Sequence, residues 1–134
     1  MKVELFVMCD AATDSGGKLN ILGVYDTIAS AKMPVVHPRC AIVLKVRFER
    51  IERGEHRLKL NIIDQDGNLV IPSLDGPLNI NFPDSAPSAT AQLILDLQNL
   101  RFEKFGEFSI DLAVDGRQEA SIPLFVKQVQ PQQA

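Results

Sequence analysis

Residues Phe105 to Gly116 place apolar side chains at every second position and end in Asp115-Gly116, after which Ala120 to Val126 alternate again. Phe108, Ile110, Leu112 and Val114 fall on one side of an extended chain, and Ser109, Asp111, Ala113 and Asp115 on the other. An Asp-Gly pair between two period-two runs is a strong hairpin signal, since both turn residues must take positive φ. The same patterning recurs along most of the chain. A chain so patterned buries its apolar faces by stacking sheets. The expected fold is all-β: a two-layer antiparallel β-sandwich, immunoglobulin-like or related, of about eight or nine strands.

The hairpin also contains a conflict. A two-residue Asp115-Gly116 turn sets Leu112 opposite Glu119, although Ala120, Ile122, Leu124 and Val126 form the apolar set. One residue must be absorbed, which predicts a β-bulge near Gln118–Ser121. Pro123 places this strand at an edge or beside the bulge.

Upstream, Val3–Ala12 reads as a strand that is apolar on both faces, followed by a Thr13–Lys18 loop and a Leu19–Ser30 strand interrupted at Gly23. Two prolines make Met33–Pro38 a connection. Arg39–Ile51 and Arg57–Asp64 then pair through a Glu52-Arg53-Gly54 loop, with Phe48 opposite Leu58 and Val46 opposite Leu60. Asp66-Gly67 and Asp75-Gly76 read as turns around a short strand at Leu69–Ile71, and Leu78, Ile80 and Phe82 mark a further strand. Ala89–Leu100 fits either period; the strand reading exposes only Ile94 whereas a helix exposes Leu95 as well, so strand is chosen.

The chain is most simply one sandwich domain over residues 1–127, with a polar tail at 128–134. A net charge of −3 argues against general nucleic-acid binding, which depends on clustered cations. Only five apolar residues separate Glu4 from Asp10, too few for a secretory leader or a membrane span, so the expected location is the cytoplasm. Cys9 and Cys40 lie in apolar runs, which suits buried free thiols in a reducing compartment.

The segments Val3–Ala12 and Gly17–Ile28, with His37-Pro38, Phe48-Glu49-Arg50, Gly54-Glu55-His56 and Gly106–Val126, resemble a family of small uncharacterised bacterial proteins, a domain of unknown function. The resemblance covers nearly the whole chain and implies no activity, cofactor or site residues. The closing hairpin is similar to the last strands of immunoglobulin-like sandwiches, with Phe108 where such domains carry a corner tyrosine.

The chemistry-bearing residues are sparse. Asp64 and Asp66 are the metal candidates, for calcium, with Asp10 or Asp14 as further ligands. Leu69 and Asp75 stand where an EF-hand loop needs glycine and a longer acid, so a plain Asp-Gly turn is favoured. Cys9, Cys40, His37 and His56 match no zinc spacing, and an inward Cys40 makes a poor nucleophile beside His37. Lys45, Arg47, Arg50, Arg57 and Lys59 are interrupted by Glu49, Glu52 and Glu55, the pattern of a solvated face. No catalytic residue and no cofactor is expected.

One feature points outward. The strand register sets Val43 opposite Ile63 on the outer sheet face, with Ala41 beside them, and such a patch needs cover from a strand, a loop or a second copy. Ala41, Val43 and Ile63 are therefore the interface candidates for a homodimer. The functional expectation is a non-catalytic protein-binding or assembly module. The rivals are a cofactor-free enzyme with its site between the N-terminal strands and the His37 loop, and a calcium-dependent binding module using Asp64 and Asp66.

Overall fold

Nine strands in two stacked sheets make up the computed structural model, which describes residues 1–130. In chain order they are β1 (Lys2–Ser15), β2 (Lys18–Val24), β3 (Thr27–Ser30), β4 (Val35–Glu49), β5 (Gly54–Ile63), β6 (Leu74–Ile80), β7 (Ser88–Phe102), β8 (Gly106–Val114) and β9 (Arg117–Gln128). One sheet runs β2-β1-β4-β7 and the other β3-β9-β8-β5-β6. All pairs are antiparallel except β3 with β9, which is parallel. Residues 131–134 of the predicted tail lie outside the described residues, and Gln128 still belongs to β9.

The core lies between the sheets and is made by alternation. Cys40, Ile42 and Leu44 of β4 meet Leu60 and Ile62 of β5 and Phe108, Ile110, Leu112 and Leu124 of the final hairpin. That hairpin folds as its sequence demands. Val114 pairs with Arg117 around Asp115 (φ 53°) and Gly116 (φ 80°), the two positive values of a primed turn. The register then shifts between Leu112–Ala120 and Ala113–Gln118, which leaves Glu119 as the bulged residue. Pro123 sits on the part of β9 that β3 does not reach, where its missing N–H costs no ladder bond.

Segment 88–102 is a strand, paired with β4 from Glu49–Ser88 to Val35–Phe102. β4 begins earlier than predicted and runs through Pro38. β1 pairs with it only from Ala41 onwards, so Pro38 has an open side, and Asn99 takes φ 54° in the strand facing that stretch. Leu69 makes one isolated bridge to Ile63 rather than a strand, and Gly76 lies inside β6 opposite Leu58 rather than in a turn.

The largest correction concerns β4 and β5. They do not pair: β4 lies between β1 and β7, and β5 between β8 and β6. The linking residues Arg50–Glu52 form a 3-10 turn in which the Glu52 carboxylate accepts a hydrogen bond from the Glu49 amide at 2.9 Å. The chain thus crosses from one sheet to the other. Even numbering kept both inward sets correct, because a crossover between stacked sheets satisfies the same alternation as a hairpin.

The β1–β2 hairpin forms a partial third layer. β1 leaves β4 after the Cys9–Ala41 pair and continues with β2 alone. Ala12, Leu19 and Ile21 then pack on Cys9, Ala41, Val43 and Ile94, on the face of the first sheet that points away from the core. The Gln92 side-chain amide on β7 donates to Asp14 Oδ2 at 3.2 Å and to the Gly17 carbonyl at 3.1 Å. These bonds fix the hairpin tip across the full width of the sheet.

Candidate functional site

An exposed strand edge presents unpaired N–H and C=O groups, and proteins blunt such edges with proline, lysine, bulges or short length. Most edges here follow that rule. β3 has four residues, β2 has seven with Gly23 at φ 70°, and β6 has seven with Pro77. β7 does not. It is an edge strand of 15 residues, Ser-Ala-Thr-Ala-Gln-Leu-Ile-Leu-Asp-Leu-Gln-Asn-Leu-Arg-Phe, without proline or lysine.

β7 and β6 end their respective sheets on the same flank, and the sandwich stays open between them. A cavity of about 260 Å³ enters there, lined by Leu44, Leu58, Leu74, Leu93, Leu95 and Leu112, with Asp75 at its rim. Leu93, Leu95 and Leu97 face the core side of β7, yet remain half-buried because no strand of the described residues lies beyond them. Asp75 is held by Arg57 at 3.0 Å. Among the described residues Asp96, in the middle of β7, makes no ion pair.

One end of the sandwich carries a different constellation. His56 Nδ1–H donates to Asp115 Oδ2 at 2.6 Å and Nε2–H to the Glu52 carbonyl. Both partners only accept, so the arrangement is satisfied by an imidazolium. The Glu52 carbonyl and then the Asp115 carboxylate raise the His56 pKa, and the His56 hydrogen bond lowers that of Asp115. Asp115 Oδ1 also accepts from the Arg57 amide at 2.9 Å. With both imidazole nitrogens committed, His56 ties the crossover to the β8–β9 turn and has no free nitrogen to act as a base.

The residues singled out from sequence are distributed as follows. Ala41 and Val43 do point away from the core, but both are 0% exposed beneath the β1–β2 hairpin. Ile63 lies in the other sheet, opposite Ser109, so the Val43–Ile63 pairing does not exist. The cover is a strand of the same chain. Asp64 and Asp66 belong to a tight turn in which Asp64 Oδ1 accepts from the Asp66 and Asn68 amides, each at 2.9 Å. Lys104 Nζ lies 3.1 Å from both Asp64 Oδ2 and Asp66 Oδ2, so an ammonium already stands between the two carboxylates.

Asp14 is at the hairpin tip. Asp10 lies with His37 and Tyr25 in an open depression of about 420 Å³. There Tyr25 Oη and His37 Nε2 share a hydrogen bond of 2.7 Å, and burial raises the tyrosine pKa. Cys40, in the core, has its thiol pKa raised by burial, which suppresses the thiolate. Cys9 points to the opposite face of the sheet, so the two thiols stay apart and free. The five basic residues are split up: Lys45 and Arg47 lie in one sheet and meet Glu4, Arg57 and Lys59 lie in the other, where Arg57 meets Asp75, and Arg50 is in the turn between them.

Residues 4–127 match the family described as "Family of unknown function (DUF6941)". The chain belongs to that family. No curated protein matches it. The match covers β2 to β8 entirely and most of β1 and β9, so the open β6–β7 flank lies inside the family's extent.

Sequence reasoning missed that flank, along with Lys104 and the His56–Asp115 pair. The flank had one readable signal in this family member: the longest run of alternating leucines, Leu93, Leu95 and Leu97, carries neither proline nor lysine and has Asp96 as its single charge. The pairings of Lys104 with Asp66 and of His56 with Asp115 join residues 38 and 59 positions apart and required the topology.

Proposed function

We propose that this family member is a non-catalytic protein-binding module of immunoglobulin-like topology, working in a bacterial cytoplasm through its open β6–β7 flank. The observation that carries the reading is the unblunted β7 edge beside a leucine-lined groove. Peptide-recognition domains commonly offer a sheet edge and pockets for alternate side chains. The topology reading rests on strand order. β1-β4-β7 follows the A-B-E order of one immunoglobulin sheet and β9-β8-β5 the G-F-C order of the other, with β2, β3 and β6 added at the edges. Two buried, unpaired cysteines on opposite sides of one strand pair suit a reducing compartment.

The enzymatic alternative has the His37 depression as its site. That depression is open, and the thiol beside it is buried and raised in pKa. Its hydroxyl–imidazole pair is Tyr25 Oη with His37 Nε2 at 2.7 Å, and burial raises the tyrosine pKa, which disfavours the phenolate nucleophile.

Site-specific photo-crosslinking in the native cell tests the binding reading. A photoreactive residue at Gln98 on β7 should yield a discrete heavier adduct, and one at Ser121 on the polar face of the second sheet should not. Adducts from Ser121 with none from Gln98 would overturn it.

A further inference from the structure

The chemistry of the β6–β7 flank defines its occupant more narrowly, on the footing of the binding reading above. We propose that the flank takes an extended strand from a partner protein, which pairs with the free edge of β7 and drops alternate aliphatic side chains between the sheets. Three observations converge on this occupant.

The first is the edge. β7 pairs with β4 without a break from Ser88 to Gln98, so over that stretch the main-chain groups on its other side form a ladder open to a strand. Among the described residues the other edges are short, broken or proline-bearing, whereas this one is regular from Ser88 to Gln98, ahead of the positive φ at Asn99. The second is the groove. Side chains of an added strand directly opposite Leu93, Leu95 and Leu97 point to the core side, because facing residues in a ladder share a face. That direction leads into the 260 Å³ leucine-lined space, larger than the roughly 150 Å³ apolar cavity known to admit benzene. The third is charge. Asp96 and Arg101 are the charged residues of β7, and Asp96, between Leu95 and Leu97 in sequence but on the outer face, has no ion-pair partner among the described residues. A strand carrying lysine or arginine opposite Asp96 gains a cross-strand pair.

The recognised pattern is therefore apolar–any–apolar–basic–apolar, in β conformation. A small apolar molecule would use the groove without the edge. A second copy pairing its β7 antiparallel in the register that sets Leu95 opposite Leu97 would bring its own Asp96 to the rung that favours a cation.

The probe is a heptapeptide, Leu-Thr-Leu-Lys-Leu-Thr-Leu, which reads the same in both directions and so serves parallel or antiparallel addition. Its affinity is measured by fluorescence anisotropy, with ¹⁵N amide shifts locating the site. Two further versions are N-methylated, one at the leucines and one at the threonines and lysine. Only alternate residues of an added strand donate to β7, so one methylated version should weaken at least tenfold while the other binds like the parent. Asp96→Arg, a surface change, should weaken the parent peptide severalfold and remove most of its salt dependence. Equal binding of both methylated versions with shifts at Leu93 and Leu95 would overturn strand addition and leave the binding reading in place. Absence of any shift on β7 would overturn both. Concentration-dependent protection of β7 without peptide would name a second copy as the occupant and refute the proposal.

Discussion

His56 Nδ1 lies 2.6 Å from Asp115 Oδ2, joining the start of β5 to the turn between β8 and β9. The imidazolium is favoured in the folded state, with its pKa raised above 6.5, and Asp115 is held below 3.8. The histidine's contribution is full below pH 6.5 and is lost as pH rises through its raised folded value. The Asp115 contribution is present above pH 3.8 and is lost as pH falls through its lowered value. Urea unfolding should therefore find the wild type more stable than His56→Gln in mildly acidic buffer, with the gap closing as pH climbs past 6.5. A gap that stays constant with pH would show that the contact acts only by shape.

Val43 makes a second test, because the hairpin layer buries it completely. Val43→Lys should destabilise by about 3 kcal/mol or more, since an unpaired ammonium enters an apolar cluster. Ile63→Lys, at a half-buried site on the other sheet, should cost much less. Similar midpoints for the two variants in denaturant titration would mean that the β1–β2 hairpin does not lie over Val43.

Gly54 takes φ 127° as the chain enters β5 from the crossover, with open space where a Cβ would sit. Gly54→Val should lower stability by about 1–2 kcal/mol through backbone strain alone, with no steric contribution. A neutral result would show that the crossover relaxes to another conformation.

These sites also show which parts of the fold the residues announce by themselves. Alternation placed Phe48, Leu60 and Ile110 in the core correctly, because period two depends only on the strand itself. The Glu119 bulge was legible because the Asp115-Gly116 turn and the apolar set of β9 demand different registers. Partner choice was not legible. Phe48 and Leu58 fit a hairpin as well as a crossover, and a 3-10 turn at Arg50–Glu52 decided between them. The outward apolar patch at Ala41 and Val43 was visible, but its cover was not. A strand that serves two layers, pairing with β4 up to Cys9 and folding back beyond it, has no period of its own.

The Asp64–Asn68 turn offers a compact test of a metal against an ammonium. The Asn68 amide first, then Lys104 and the Asp66 amide, hold the Asp64 pKa down, with Lys104 standing between the Asp64 and Asp66 carboxylates. Millimolar calcium should leave the melting temperature unchanged, and Lys104→Met should not create a calcium response by itself. A rise in melting temperature that Asp66→Asn abolishes would instead make this turn a cation site.

Amide hydrogen exchange along β7 in the peptide-free protein tests the central claim most directly. A strand paired on one side alone should show exchange of period two, with every second amide from Ala91 to Leu97 exchanging fast and its neighbours protected as well as those of β4. That pattern, unchanged on dilution, is the predicted result. Uniform protection along β7, equal to that of β4, would show that the edge is already occupied and would contradict an open flank.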